Sequence, residues 1–436
     1  MGYWLPEIEA AVGMSRKWDA REAGREVARD TIRQLKTPPD FFLLFSTIHY
    51  KDHGGFEEFL NGVWDVLPKG TPLIGGTVLG FINNYGCYTR GASGLAVSSN
   101  NIDVAIGFGN NTKRNPKKAA EKSTKMIKKE FSSSLYKNKF LLNLVSGPGA
   151  MKIPGQGYKK VIDSGLTSKF IIQAFGISQY LLQKGFGRED EVFEEIVNNL
   201  PEYNMILGTT MDDYKTGICN YQFYDDKIYT NSVVNLGIAT DLDLNVCTTH
   251  GMKKTDITFK ITKLSKNGHI IHEINEKPAV PELYRILNWP KGFLNEKTMG
   301  HTILYYPISV KRNKREFPVV MPYFLKKSVM TPCVIDNGEV CFLTVSGKNL
   351  ISSMKKNLES FQKIEPEFGL FSTCMTILVT LGDKVNILRE EILNYFKDKP
   401  FLLFFSAGEG TYSPNNNFIY ANMSFNTAVF GKNLIK

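Results

Sequence analysis

The sequence predicts a mixed α/β fold, built from internally repeated strand-helix-strand units in mixed sheets and divided into two domains. Two wholly apolar runs, PDFFLLFST at 39–47 and PEFGLFST at 366–373, are each followed by an amphipathic stretch. A second apolar run then leads into a Gly-rich loop, GTPLIGGTVLGF at 70–81 and KPFLLFFSAGEG at 399–410. The spacing agrees: Pro39 and Pro72 lie 33 residues apart, Pro366 and Pro400 lie 34 apart, and Gly80 and Gly408 each follow their proline by 8. A looser third copy runs from KFLLNLVSG at 139–147 to NMILGTTMDDYKTG at 204–217, with roughly 30 extra residues between its apolar runs, enough for an inserted element. Repetition of this kind reads as an internal duplication.

Each element follows from its residues. The polar segment RKWDAREAGREVARDTIRQL predicts a helix that stops before Pro38 and Pro39. The apolar runs are too short to span a membrane and suit strands buried on both faces. Between them, Phe56, Phe59, Leu60, Val63 and Val66 line one side of a helix in the first unit, and Val385, Leu388, Ile392 and Phe396 do so in the last. A strand, a helix and a strand in that order imply a parallel pair with a right-handed crossover, whose ligand-bearing loops follow the carboxyl ends of the strands. GLAVSS and IDVAIGFG close the first unit as strands. The insertion at 151–190 carries FIIQAFGISQYLL, which we expect to be helical and covered. Asn267-Gly268 suits a type I′ hairpin turn, and Asp336-Asn337-Gly338 a second hairpin. HTILYYPISV and FPVVMPYFL read as strands. PAVPELYRILNW reads as a short helix marking a border between domains at 1–275 and 276–436.

The net charge of +10 is uneven, since ten basic residues between Lys113 and Lys139 face only Glu121 and Glu130. A helix at 116–131 sets Ala119, Ala120, Met126, Ile127 and Phe131 on one face and lysines on the other. Such a helix suits an anionic surface or a solvated face. No aromatic residues interleave with the lysines to stack bases, so nucleic-acid binding is not expected. Six cysteines show no CxxC spacing and are read as free thiols. The segment MGYWLPEIEA lacks a basic, apolar signal pattern, and no run is long enough to cross a bilayer, so the expectation is a cytoplasmic protein without membrane contact.

The chemistry concentrates at the repeat loops. Asp212, Asp213 and Glu409 directly follow apolar strands, and Asp212 and Glu409 are read as equivalent. They suit an ammonium group, or else they cap the following turns. Thr209 and Thr210 add hydroxyls, while Gly75, Gly76 and Gly408 bring backbone N–H groups close to a ligand carboxylate or simply serve tight turns. Together these groups suit a zwitterion such as an amino acid. His49 and His53 flank Asp52 at a spacing that chelates metal on a helix, but they follow a strand, so no metal site is expected. No nucleophile elbow, Walker loop or dinucleotide fingerprint appears, and no catalytic residues are assigned.

The order of these motifs resembles the FIST family, the F-box and intracellular signal transduction proteins. GREVARDTIRQL, PDFFLLFST, LIGGTVLGF, MDDYKTGICNYQFYDDKIYTNSVV, CTTHG, HEINEKPAVPELYRIL, SAGEGTYS and YANMSFNTAVF fall where that family has corresponding segments, across nearly the whole chain. The resemblance implies FIST N-terminal and C-terminal domains, and a sensory module that recognises a small molecule such as an amino acid and signals through an unidentified partner protein. Phe81 stands where the family has an acidic residue, and Thr210-Met211 replaces a small Ala-Gly pair. The resemblance also brings in His250 and Asn422 as ligand-binding positions. No cofactor is expected, although some family members resemble haem-based gas sensors and His250 would then be the axial ligand. The alternative in another class is a protein-protein interaction adaptor.

Overall fold

The computed structural model describes residues 8–149, 153, 155, 157–185, 187–213, 219–312 and 315–434. Three units share one order of elements. The first comprises β1 (Ile8–Ser15), α1 (Ala20–Ile32), β2 (Phe41–Ser46), α2 (Gly55–Trp64), β3 (Leu73–Thr77), the hairpin β4 (Phe81–Asn83) and β5 (Gly86–Tyr88), and β6 (Ala92–Ser99). The second begins with β7 (Ile102–Asn110), α3 (Pro116–Glu130) and β8 (Asn138–Ser146), then inserts β9 (Val161–Ile162) and α4 (Gly165–Ile177). It resumes with α5 (Glu189–Asn199), β10 (Asn204–Thr210), the hairpin β11 (Gln222–Tyr224) and β12 (Lys227–Tyr229), and β13 (Ser232–Thr240).

The third unit opens with β14 (Leu242–His250) and then makes a long excursion: β15 (Met252–Leu264), β16 (Ile270–Ile274), β17 (Lys277–Pro278), α6 (Ala279–Ile286), α7 (Met299–Tyr305), β18 (Ile308–Arg312), β19 (Arg315–Val319), β20 (Tyr323–Leu325), β21 (Ser328–Met330) and β22 (Gly338–Val345). It returns with α8 (Gly347–Glu359), β23 (Pro366–Cys374), α9 (Met375–Leu381), α10 (Val385–Phe396), β24 (Phe401–Ser406), the hairpin β25 (Glu409–Ser413) and β26 (Asn416–Ala421), and β27 (Ser424–Leu434). The helix that precedes the parallel pair of each unit, α1, α3 or α8, starts on a polar cap. Asp19, Asn115 and Ser346 accept from the backbone N–H three residues on, an arrangement worth about 1 kcal/mol per helix.

The pairing repeats as well. The strands β2 and β3, β8 and β10, and β23 and β24 are the expected parallel pairs. In each unit the last strand returns antiparallel beside the first of the pair. The hairpins do not stay in their own sheets. The hairpin of the second unit adds to β3, that of the third adds to β10, and that of the first adds to β24. Three six-stranded sheets result, β1-β6-β2-β3-β11-β12, β26-β25-β10-β8-β13-β7 and β14-β27-β23-β24-β4-β5.

One face of every sheet meets a shared core that includes Phe45, Leu144 and Phe404 from the three units. The opposite faces are covered by helices, with α1 and α2 over the first sheet and α8 and α10 over the third. Burial on both faces explains why β2, β24 and most of β8 are almost continuously apolar. The excursion of the third unit forms a separate nine-stranded sheet, which β9 joins by parallel pairing with β20.

Several details depart from the sequence reading. HTILYY lies mostly in α7, so only Ile308 onward enters a strand. FPVVMPYFL is broken between β19 and β20. Asp336-Gly338 does not join a hairpin, because β22 pairs with β15 and β18 whereas β21 pairs with β16 and β20. At the other turn Gly268 alone has a positive φ, so Asn267-Gly268 is not type I′. The boundary expected at 275/276 falls between β16 and β17, and three of the four sheets take strands from both sides of it. The start of the insertion at 151–152 and the YKTGI part of the second loop at 214–218 lie outside the described residues.

Close packing makes a steric prediction. A Cβ on Gly75 would overlap the Leu44 carbonyl oxygen, whereas one on Gly176 in α4 meets nothing within 4 Å. Gly75→Ala should destabilise the protein by about 3 kcal/mol or prevent folding. Gly176→Ala should leave stability unchanged or raise it by about 0.5–1 kcal/mol. Urea unfolding midpoints for the two variants check this contrast.

Candidate functional site

The carboxyl ends of the parallel pairs converge through backbone hydrogen bonds that repeat from unit to unit. The N–H groups of Thr77, Thr209 and Phe405 donate to the carbonyls of Tyr221, Gly408 and Gly80 at 2.9, 3.1 and 3.0 Å. Two residues further on, Leu79 donates to Phe405 O at 3.2 Å, Met211 to Thr77 O at 2.8 Å, and Ala407 to Thr209 Oγ1 at 3.0 Å. Each unit is thereby tied to the next in a closed cycle.

Beside this junction opens a cleft of about 750 Å³. Its apolar surface comes from Val78, Leu79, Phe405, Leu378, Val379 and Val385, and its polar surface includes Thr47, His49, Thr89, Arg90, Asp212, Asp213, Asp383 and Asn386. All three units contribute. Thr47 and His49 follow β2, Arg90 follows β5, the paired aspartates follow β10, and Asp383 and Asn386 lie at the corner between α9 and α10.

Local contacts fix these groups. The Thr47 hydroxyl accepts from Gly91 N at 3.1 Å and bonds His49 Nδ1 at 2.8 Å. Burial, together with the nearby Arg90 and His53, pushes the His49 imidazole down to about 4, so it is neutral at physiological pH. The Arg90 guanidinium stacks 4.0 Å from the centre of the Trp18 ring and donates to Arg16 O at 3.1 Å. Among the described residues neither Arg90 nor Asp383 forms an ion pair. One carboxylate oxygen of Asp212 accepts from Cys219 N at 3.1 Å and so caps the returning loop. The Lys51 ammonium lies 3.6 Å from Cys219 Sγ.

Of the positions singled out from the sequence, Asp212 and Asp213 line the cleft. Thr209 and Thr210 are buried in β10, the first receiving Ala407 N–H and the second bonded to Asn220 and Gln222. Gly76 admits the Thr210 methyl and the Tyr221 carbonyl, Gly75 the Leu44 carbonyl, and Gly408 the Tyr420 hydroxyl, so all three are close-packed. Asn422 is buried, accepting from Val320 N at 3.3 Å and donating through its own N–H to Pro318 O at 3.0 Å, which joins the third unit to the nine-stranded sheet.

Glu409 is wholly buried in β25 opposite Gly208. Its counterparts by register are Gln222, opposite Gly76, and Phe81, opposite Phe404, rather than Asp212. His250 ends β14 opposite Ser424; neighbours crowd its ring enough to lower its pKa, yet the residue remains exposed and is not part of the cleft lining. His49 and His53 both meet the edge of Trp18 with ring centres 6.1 Å apart, and among the described residues no cluster of three metal-ligating side chains occurs.

The sequence reading missed Thr47, Arg90, Asp383 and Asn386. The signal available was positional: Thr47 and Phe405 each end an apolar run, as the TTMDD loop does.

An α/β core with a mixed polar and apolar cleft at the ends of its parallel strands defines a ligand-binding protein. A family model described as the FIST N domain matches residues 40–277, more than half of the chain. The chain belongs to the FIST family, whose domain is a small-ligand-binding module of sensory signal transduction. No curated protein matches it. A solved structure described as that of PurLQS from Thermotoga maritima aligns over 99% of this chain and 73% of its own, with 10% identity and a TM-score of 0.21, too low to carry an argument about fold.

Glu409 makes a testable site of its own. Oε1 accepts from Ser406 Oγ at 2.8 Å, while Oε2 has no hydrogen-bond partner among the described residues. Burial raises the pKa of this carboxyl well above its ordinary value of 4.5, and the adjacent Cys374 thiol is raised as well. The folded chain therefore holds a proton that the unfolded chain releases, and stability from this group is lost as pH rises above the unfolded value. Glu409→Gln, which needs no proton, should match the native protein at about pH 4 and exceed it in urea midpoint at about pH 8. A midpoint difference that does not change with pH would mean that Glu409 is ionised in the folded state.

Proposed function

We propose that the protein senses a zwitterionic metabolite of the amino-acid class in this cleft. The observation that supports the reading is the presence of Asp212, Asp213 and Asp383 with Arg90 in one apolar-walled space. Carboxylates suit an ammonium group, and a guanidinium suits a carboxylate bidentately. The volume lies within the range of about 300–1,000 Å³ usual for small-molecule sites. On this reading His49 contributes a neutral hydrogen-bonding ring and Val78, Leu79 and Phe405 receive the side chain of the ligand.

Of the remaining sequence-selected residues, Thr209 and Gly408 lie in the junction that holds the loops, whereas His250 and Asn422 lie outside the cleft lining. Because the lining comes from three units, ligand binding would tighten their junction and pass the signal to a partner protein, consistent with a cytoplasmic sensor. We read the matching units as copies of one ancestral strand-helix-strand element.

A thermal-shift screen of the amino acids tests the proposal. At about 100 times its dissociation constant, a ligand that binds only the native state adds about 2.7 kcal/mol. Asp213→Asn and Asp383→Asn should each weaken the best ligand by roughly 10-fold while leaving the unliganded melting temperature nearly unchanged. If no amino acid raises the melting temperature, or if both variants keep the full shift, the reading fails.

A further inference from the structure

The insertion in the second unit presents a surface that the cleft does not use. The helix α4 starts on Ser164, which accepts from Thr167 N, and continues through a π-helical turn over Ser178–Leu182. One side packs Ile171 and Phe175 against Ile162, Ile270, Leu325 and Met330. The other side is also apolar. Leu166 is 84% exposed, Phe170 57%, Ile177 60%, Tyr180 58%, Leu181 60% and Leu182 67%. Leu166, Phe170 and Ile177 recur at helical spacings that put them on one stripe, which Leu181 extends. Gln173 and Lys169 are the exposed polar side chains of α4, yet the stripe is large enough to mark a surface that interacts with something else.

The charges beside it say what. Residues 164–188 contain Lys169, Lys184 and Arg188 but no acidic residue. The end of the helical segment is held by Arg114, whose guanidinium donates to the carbonyls of Tyr180 at 2.8 Å and Leu181 at 3.3 Å. Arg114 stands just before α3, where Lys118, Lys122, Lys125 and Lys129 are exposed and spaced to share one face. An exposed apolar stripe thus ends where a basic stripe begins.

We propose that α4 and α3 together form a docking surface for an anionic lipid bilayer, with α4 lying in the headgroup region and the lysines of α3 against acidic headgroups. Thirteen residues cannot span a bilayer, but α4 is held on the protein by its inner side, so its outward apolar stripe can enter the headgroup boundary while the lysines of α3 supply the attraction to acidic lipids. A second copy of the chain fits less well, because each copy brings the same basic helix to the contact. Six exposed side chains also fall short of the roughly 20–30 residues per side of a stable protein interface.

Co-sedimentation of the full chain with vesicles tests this. Binding is expected to vesicles of phosphatidylcholine mixed with phosphatidylserine, not to phosphatidylcholine alone, and to fall at high salt. Lys118→Gln, Lys122→Gln and Lys125→Gln together should weaken it by roughly 100-fold. Phe170→Ser with Leu181→Ser should abolish it while leaving the melting temperature unchanged, since both side chains are exposed. In Phe170→Trp, tryptophan emission should shift to the blue only when acidic vesicles are added. The proposal is overturned if the chain does not bind acidic vesicles or if the Phe170→Ser, Leu181→Ser variant binds as tightly as the native chain. Sedimentation velocity showing a dimer that this variant breaks would equally overturn it, by assigning the patch to a second copy.

Discussion

The exchange of hairpins between units is the constraint on which the rest of the structure depends. A single unit would expose one apolar sheet face and leave the outer edge of its second parallel strand unpaired, both costly in water. Here every such edge is filled by a neighbour's hairpin, and the three inner faces share one core. Contacts such as the stacked rings of Phe45 and Phe404, 4.4 Å apart, and the edge-to-face pair of Phe140 and Phe430 at 5.1 Å cross between sheets. Each aromatic pair adds about 0.5–1.5 kcal/mol beyond its burial. Because the exchange is cyclic, no unit can leave without opening the edges of two sheets.

The same closure makes the cleft. It brings the loop after β2, the hairpin exit at Arg90, the aspartates after β10 and the corner between α9 and α10 to one place, although they are widely separated in sequence. It also explains why Glu409 is not at the surface. The β-register makes this residue the first of the hairpin strand, where Gln222 and Phe81 occupy the matching sites. A glutamine satisfies such a position through hydrogen bonds and a phenylalanine by packing. At Glu409 burial raises the carboxyl pKa well above its ordinary value, the response of such a group to low dielectric.

The two excursions from the repeat pattern also meet. The insertion of the second unit contributes β9 to the nine-stranded sheet made by the third, and Asn422 ties that sheet back to the link between the hairpin and the last strand of the third unit. The buried pair of Lys113 and Glu189, 2.8 Å apart and each 3% exposed, holds the start of α3 against the start of α5 at the other end of the insertion. Such a pair fixes geometry more than it adds stability, because desolvation offsets most of the attraction. The basic helix and the apolar helix are therefore held in a defined relation to each other.

The proline spacing, the apolar runs and the helical stripes were enough to locate the three parallel pairs and the crossover helices of the first and third units, because burial on both faces writes itself directly into composition; α5, the helix of the second unit, was hidden behind the insertion. The buried positions Val385, Leu388, Ile392 and Phe396 of α10 are those its periodicity names. The helix in the insertion was legible from its apolar run, but the expected cover is present on one side only, where Ile171 and Phe175 pack. That Asp212 and Asp213 follow a buried parallel strand is visible in the sequence, and the structure sets both on the cleft lining. Hairpin exchange was not, since a short strand such as Phe81–Asn83 carries no mark of which sheet it will join. Arg90 and Asp383 acquire their place in the cleft only from that exchange. Local sequence determines which segments must be buried, and only the tertiary structure decides which distant edges satisfy their backbone groups, because any free edge of matching register offers the same hydrogen bonds.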